Sequence, residues 1–277
     1  MNRVDRYVLF GHPIAHSRSP QIHTLFARQC RQSLTYETLD VLPDRFVEVA
    51  RQFFASGGRG ANVTIPHKQA ALALTSELTP RARLAASVNT LAALPSGGLL
   101  GDNTDGVGLV RDLTGRMQLG LAGKRILLLG AGGAARGVVE PLLAQRPAAL
   151  LLANRTAVRL KGVIAVFAPL ADSLQVRFGA VTDLDDGHGF DLIVNATSAS
   201  HAGELPPLPA HAVRAGTVCY DMVYGQDGTA FTRWAREQGA SRAEMGLGML
   251  VEQAAEAFLL WRGVRPDTAP VLAAISG

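Results

Sequence analysis

The sequence predicts an α/β protein of two domains. Three observations carry that prediction: apolar strand-like runs alternate with amphipathic stretches, the alternation restarts midway, and a glycine-rich turn stands where it restarts. A chain of 277 residues with 48% hydrophobic content has enough apolar surface for two cores. The expected domains are 1–106 together with 247–277, and 107–246 between them.

In the first series, a strand over 7–10 runs into the loop GHPIAHSRSP, and the helix after it sets Ile22, Leu25, Phe26 and Cys30 on one face. A strand near 36–41 and a helix near 44–55 follow, ending in SGGRG. Residues 61–65 make the next strand, after which Pro66, His67 and Lys68 open a helix, proline being suited to the first helical position. Residues 86–94 and 99–103, joined by a PSGG turn, read as an antiparallel pair. Asn103-Thr104-Asp105-Gly106 then starts a long helix toward Leu119, and a glycine-rich joint at 119–123 offers a hinge.

The second series has strands over 126–129, 150–153, about 174–178, 192–195 and 218–221, separated by helical or loop segments. The last long helix, 246–262, carries Leu247, Leu250, Val251, Ala254, Phe258 and Trp261 on its apolar side, and another begins near Pro266. These helices are expected to return to the first domain.

Composition removes several function classes. The net charge is +4, but the arginines are scattered rather than clustered, which argues against a nucleic-acid track. No run approaches the roughly 18 apolar residues of a spanning helix, and the start MNRVDRYVLFGHP lacks a sustained apolar stretch, so neither membrane nor export is expected and the location reads as cytoplasmic. Cys30 and Cys219 lack metal-ligand spacing and read as buried thiols, with no metal site expected.

In RILLLGAGGAARG, an apolar run stops at Gly130, and Gly130, Gly132 and Ala135 take the G-x-G-x-x-[GA] spacing of a dinucleotide turn. Gly130 permits the turn, Gly132 leaves room for a pyrophosphate, and Ala135 lets the next helix pack closely. An ordinary buried strand and loop is the competing reading. An NAD site would place a carboxylate about 20 residues onward. Here Asn154-Arg155-Thr156 ends the second strand and Arg159 follows, two guanidiniums placed to share a helix face and clamp a 2′-phosphate, which points to NADP.

Lys68, at a helix start, would be a cation where the helix dipole disfavours one, and an exposed surface lysine is the alternative. Asp105 heads the next helix, where a simple cap would also explain it. Together, the two could handle a proton at a substrate hydroxyl. Ser17 and Ser19 present hydroxyls before a helix, and on local grounds Ser19 before Pro20 reads as an N-cap ahead of a ligand. His12, His16 and His23 read as structural. Gly246, Met249 and Gln253 form one stripe of the last long helix, bordering a cleft or serving as core filler and solvated amide.

The strings PIAHSRSPQIH, ANVTIPHK, ASVNT, GDNTDGVGLV, GAGGAARG, ANRTAVR, VNATSAS, YDMVY and GLGMLVEQAAEAF run along almost the whole chain. In this order they resemble the shikimate/quinate dehydrogenase family. The resemblance implies a substrate-binding domain completed by the C-terminal helices, a Rossmann-type NADP-binding domain with a doubly wound parallel sheet, and an active site in the groove between them. It implies that Ser17, Ser19, Asn62, Thr64, Asn89, Tyr224 and Gln253 hold shikimate while Lys68 and Asp105 act at the reacting hydroxyl. Gly130, Ala131, Gly132, Gly133 and Ala134 would receive the pyrophosphate, and Asn154, Arg155, Thr156 and Arg159 the 2′-phosphate. Thr197, Met222, Gly246 and Met249 would lie by the ribose or nicotinamide. The implied activity is NADPH-dependent reduction of 3-dehydroshikimate to shikimate, by a monomer or homodimer. The alternatives are a broader quinate/shikimate or NAD-using enzyme, and a non-catalytic module that senses the same ligands.

Overall fold

Central strand β1 (Asp5–Gly11) buries both its faces, Tyr7 and Leu9 on one side and Val8 and Phe10 on the other. The computed structural model describes residues 4–171, 176–179, 188–197, 199–206, 208, 212–225 and 227–276. It divides into two compact units, one running to Gly108 and resuming at Leu250, the other Leu109–Met249.

In the first unit, β1 leads to α1 (Ser19–Gln29), β2 (Leu34–Asp40), α2 (Phe46–Ala55) and β3 (Gly58–Val63). A 3₁₀ turn (Ala70–Leu74), β4 (Glu77–Leu78), α3 (Pro80–Ala85), β5 (Thr90–Ala93) and β6 (Leu99–Asp102) follow. The sheet order is β2-β1-β3-β5-β6-β4, parallel across β2, β1 and β3 and antiparallel where β5 meets β3 and β6. Phe10 meets Phe46 and Phe53 edge-on beneath α2. On the other face, Trp261 packs tilted against Tyr7 and donates to Leu91 O at 2.9 Å.

The second unit takes in β7 (Arg125–Leu129), α5 (Gly133–Leu143), β8 (Ala149–Ala153), a 3₁₀ turn (Ala157–Leu160), α6 (Lys161–Ala171) and β9 (Val176–Gly179). It continues through β10 (Leu192–Asn195), β11 (Val218–Asp221), α7 (Ala230–Glu237) and β12 (Arg242–Met245). The order β12-β11-β10-β7-β8-β9 is parallel throughout, the doubly wound arrangement expected from the sequence. Leu127, Leu129, Leu151, Ile193 and Phe231 share one core cluster.

The chain leaves the first unit at Gly108, within α4 (Asp105–Arg111), which widens into a π-helical turn (Asp112–Arg116). It returns at Leu250, inside the long helix Leu247–Arg262, before the last helix, Ala269–Ile275. Both crossings lie within helices, so the glycines at 120 and 123 belong to the second unit and are not the joint. Ile65-Pro66 is a cis peptide in a turn closed by His67 N–H donating to Thr64 O at 2.9 Å. The helix expected at Pro66 begins only at Ala70, as a 3₁₀ turn, and Lys68 is not in its first turn. Ser19 is the first residue of α1, and Arg18 before it takes the cap position without a side-chain cap bond. Of the strand expected over 174–178, residues 174 and 175 lie outside the described residues. Cys219 is buried and its thiol pushed up to about 12 by desolvation, whereas Cys30 is only half-buried.

Candidate functional site

Two short segments meet at the edge of β5 and β6. Asn89 N–H donates to Asp102 O at 3.0 Å while Asn89 O accepts from Val63 N–H at 2.8 Å, and Val88 N–H donates to Lys68 O at 2.9 Å. The turn after β6 is held by its own side chains: Asn103 Nδ2 donates to Ser87 O at 2.9 Å, and Asn103 Oδ1 accepts from Asp105 N–H at 3.2 Å. Asp105 is therefore capped by Asn103, and its carboxylate is left for other partners.

Those partners are expected site residues. Lys68 Nζ donates to Asp105 Oδ2 at 2.5 Å and Asn89 Nδ2 to Asp105 Oδ1 at 2.8 Å. Gln253 Oε1 accepts from the Thr104 hydroxyl at 3.3 Å and faces Asn89 Nδ2 at 3.5 Å. Gln253 is thus buried and bonded, and Met249 is buried too. Lys68 is 14% exposed and Asp105 6%, so the surface-lysine alternative does not hold. Asn62 Nδ2 donates to Thr90 Oγ1 at 3.1 Å, and its Oδ1 accepts from the Tyr36 hydroxyl at 2.8 Å. Burial pushes the Tyr36 hydroxyl well above its ordinary range. Ser17 Oγ accepts from Ser19 N–H at 3.2 Å. Thr64 is half-buried beside Gly11, where an added Cβ would lie 2.4 Å from its methyl. Tyr224 lies in the second unit. Sequence reading missed Tyr36 and Thr90, which stand in β2 and β5 with no local signal beyond a hydroxyl on a strand.

In the second unit, Gly130 has φ +121°, and an added Cβ would lie 3.0 Å from Ala196 O, so the turn requires glycine. Gly132 differs: it sits before α5 with φ −79°, and an added Cβ would meet nothing within 4 Å. The space it leaves is open, as a close-lying pyrophosphate needs. Asn154 Nδ2 donates to Thr156 O at 2.9 Å. Arg155 precedes the 3₁₀ turn and Arg159 lies within it, so they do not share an α-helical face as expected; both are exposed, with no ion-pair partner among the described residues. This donor set, open glycine turn and paired cations, fits a phosphorylated dinucleotide.

At the ends of β10 and β11, Asn195 Oδ1 accepts from Thr197 N–H at 3.1 Å and from the Thr197 hydroxyl at 2.7 Å. Asn195 is itself held by Asp221 Oδ1 at 3.2 Å, while Asp221 Oδ2 accepts from Ser200 and Thr229 hydroxyls at 2.6 Å each. Burial raises the Asp221 carboxyl above its usual range, and these donors partly offset that. Met222 N–H donates to Asn195 O at 2.9 Å, and a Cβ on Gly246 would lie 2.3 Å from Met222 O. Met249 N–H reaches the Tyr220 hydroxyl at 3.3 Å. Thr197, Met222, Gly246 and Met249 are thus gathered at one end of the parallel sheet, where such folds take their ligands.

The strand order and open glycine turn define a dinucleotide-binding α/β protein, and the lysine–aspartate pair adds groups able to move a proton. Family models match residues 9–91 as a shikimate dehydrogenase substrate-binding domain, 113–203 as shikimate/quinate 5-dehydrogenase, and 246–275 as the shikimate 5′-dehydrogenase C-terminal domain. The shikimate dehydrogenase (NADP(+)) of Methylococcus capsulatus is 52% identical over 98% of this chain and 96% of its own. An Ael1 enzyme from Pseudomonas putida superposes with a TM-score of 0.88 at 42% identity, over 99% of this chain and 98% of its own. The shikimate 5-dehydrogenase of Thermus thermophilus, solved with NADP(H) and shikimate, has a TM-score of 0.83 at 32% identity, over 98% of both chains. The chain belongs to the shikimate dehydrogenase family.

Proposed function

We propose that the protein catalyses the reversible NADPH-dependent reduction of 3-dehydroshikimate to shikimate, a step toward chorismate and the aromatic amino acids. The observation that carries this reading is the Lys68–Asp105 pair, 2.5 Å apart, with the carboxylate buried and tied to Asn89. Residues 1–106 with 247–277 form the substrate domain and 107–246 the cofactor domain. NADP(H), when bound, supplies or receives the hydride. Gly130, Ala131, Gly132, Gly133 and Ala134 hold its pyrophosphate, and Asn154, Arg155, Thr156 and Arg159 its 2′-phosphate. Thr197, Met222, Gly246 and Met249 border the ribose and nicotinamide.

Lys68 gives a proton to the carbonyl oxygen in reduction and takes it back in oxidation, and Asp105 bonds the substrate and aims the ammonium. Asn62, Thr64, Asn89 and Gln253 hold the ring hydroxyls, while Ser17, Ser19 and Tyr224 bind the carboxylate through hydroxyls. No helix among the described residues is long and apolar enough to cross a membrane; we place the protein in the cytoplasm, as a monomer or homodimer. Loss of NADPH absorbance on adding 3-dehydroshikimate tests this reading. Rapid loss with NADPH and slow loss with NADH is expected, and a flat trace while both ligands bind would make the protein a sensing module instead.

A further inference from the structure

A hydrogen-bond chain in the first unit runs in one direction and ends on Asp105. The Tyr36 hydroxyl donates to Asn62 Oδ1 at 2.8 Å, and Asn62 Nδ2 donates to Thr90 Oγ1 at 3.1 Å. The Thr90 hydroxyl donates to Asn89 Oδ1 at 2.9 Å, and Asn89 Nδ2 donates to Asp105 Oδ1 at 2.8 Å. All five residues are buried.

The direction follows from what each group can do. The Asp105 carboxylate accepts, so Asn89 must turn its amide nitrogen toward it. That leaves Asn89 Oδ1 facing Thr104 N–H at 2.8 Å, a group that can only donate, and the Thr90 hydroxyl. Thr90 has one hydroxyl proton and donates it there, so toward Asn62 it accepts. Asn62 Nδ2 supplies that bond and a second to Asn89 O at 3.3 Å, which turns Asn62 Oδ1 toward Tyr36. His23 stacks flat on the Tyr36 ring, with centroids 4.1 Å apart and planes 9° apart, and so fixes where its hydroxyl points. Neither carboxamide can flip without stranding a buried group.

We propose that Tyr36 and Thr90 are positioning residues: they lock the carboxamides of Asn62 and Asn89 and thereby set the substrate-facing geometry of Asn62 and the orientation of Asp105 toward Lys68. Both Asn62 N–H groups are engaged inside the protein, so Asn62 offers a ligand only the second lone pair of Oδ1 and reads a substrate hydroxyl as a donor. This inference rests on the function proposed above.

Tyr36→Phe, Thr90→Val and Thr90→Ser, assayed beside the unaltered enzyme with shikimate and NADP, test it. In Tyr36→Phe and Thr90→Val, the KM for shikimate should rise and kcat fall, together lowering kcat/KM by about tenfold or more, with the KM for NADP unchanged. Thr90→Ser should restore most of the loss. A merely structural role would lower kcat through lost active protein and leave both KM values alone, and that result would overturn the proposal. If Thr90→Val does not fold, Tyr36→Phe and Thr90→Ser decide it. Unaltered protein that turns over neither substrate overturns the functional reading, and with it the role given to the chain.

Discussion

Lys68 Nζ and Asp105 Oδ2 stand 2.5 Å apart, on side chains from two separate segments of the first unit. Their partners differ in kind: Asp105 is also held by Asn89 and its own backbone cap, while Lys68 has this one bond among those described. The aspartate is the fixed member and the lysine the one free to serve a ligand.

Replacing Lys68 with Met should lower kcat by about two to four orders of magnitude and change the KM for shikimate only a few-fold. Steady-state kinetics in both directions checks this. Equal losses in kcat and in affinity would assign Lys68 to binding alone.

The two glycines of the cofactor turn should respond differently to alanine. Gly130→Ala forces a side chain into φ +121° against Ala196 O and should destabilise the fold by about 1 to 3 kcal/mol. Gly132→Ala has both an ordinary φ and open space, so denaturant midpoints should hardly move while NADP affinity falls roughly tenfold or more. Titration of NADP beside urea unfolding separates the two.

The exposed Arg155 and Arg159 should set the choice of cofactor. With both changed to Ala, the KM for NADP should rise about ten- to a hundredfold, with that for NAD moving less than about threefold. Equal changes for both cofactors would show that the arginines do not read the 2′-phosphate.

Burial pushes the His23 imidazole from 6.5 down to about 3. Between those values the unfolded chain binds a proton that the folded state refuses. This contribution is therefore absent above about pH 6.5 and costs stability as pH falls below it, by up to about 1.4 kcal/mol per pH unit. His67 is shifted the same way by burial. Urea midpoints should drop between about pH 7.5 and about pH 5, and His23→Phe, which keeps a flat ring on Tyr36, should flatten that drop.

The central strands were legible because parallel strands covered on both faces are unbroken apolar runs, as in Ile126 to Leu129 and Leu150 to Ala153. Edge strand β12, Arg-Ala-Glu-Met, is half charged and gave no such signal. Helix α3 was missed although Thr79 caps it and Pro80 opens it, since six residues carry too little periodicity. Lys68 and Asp105 could be singled out from composition and position, but their pairing depends on the Val88-to-Lys68 backbone bond and on the β5–β6 register, which no local pattern encodes. Tyr36 and Thr90 became visible only once Asn62 and Asn89 had been placed beside them.

The most direct test uses shikimate deuterated at the carbon whose hydroxyl is oxidised, incubated with NADP and the unaltered protein, with the mass of the NADPH formed as the readout. Direct hydride transfer predicts NADPH that carries the deuterium. NADPH without the label, or no NADPH while both ligands bind, would contradict the account.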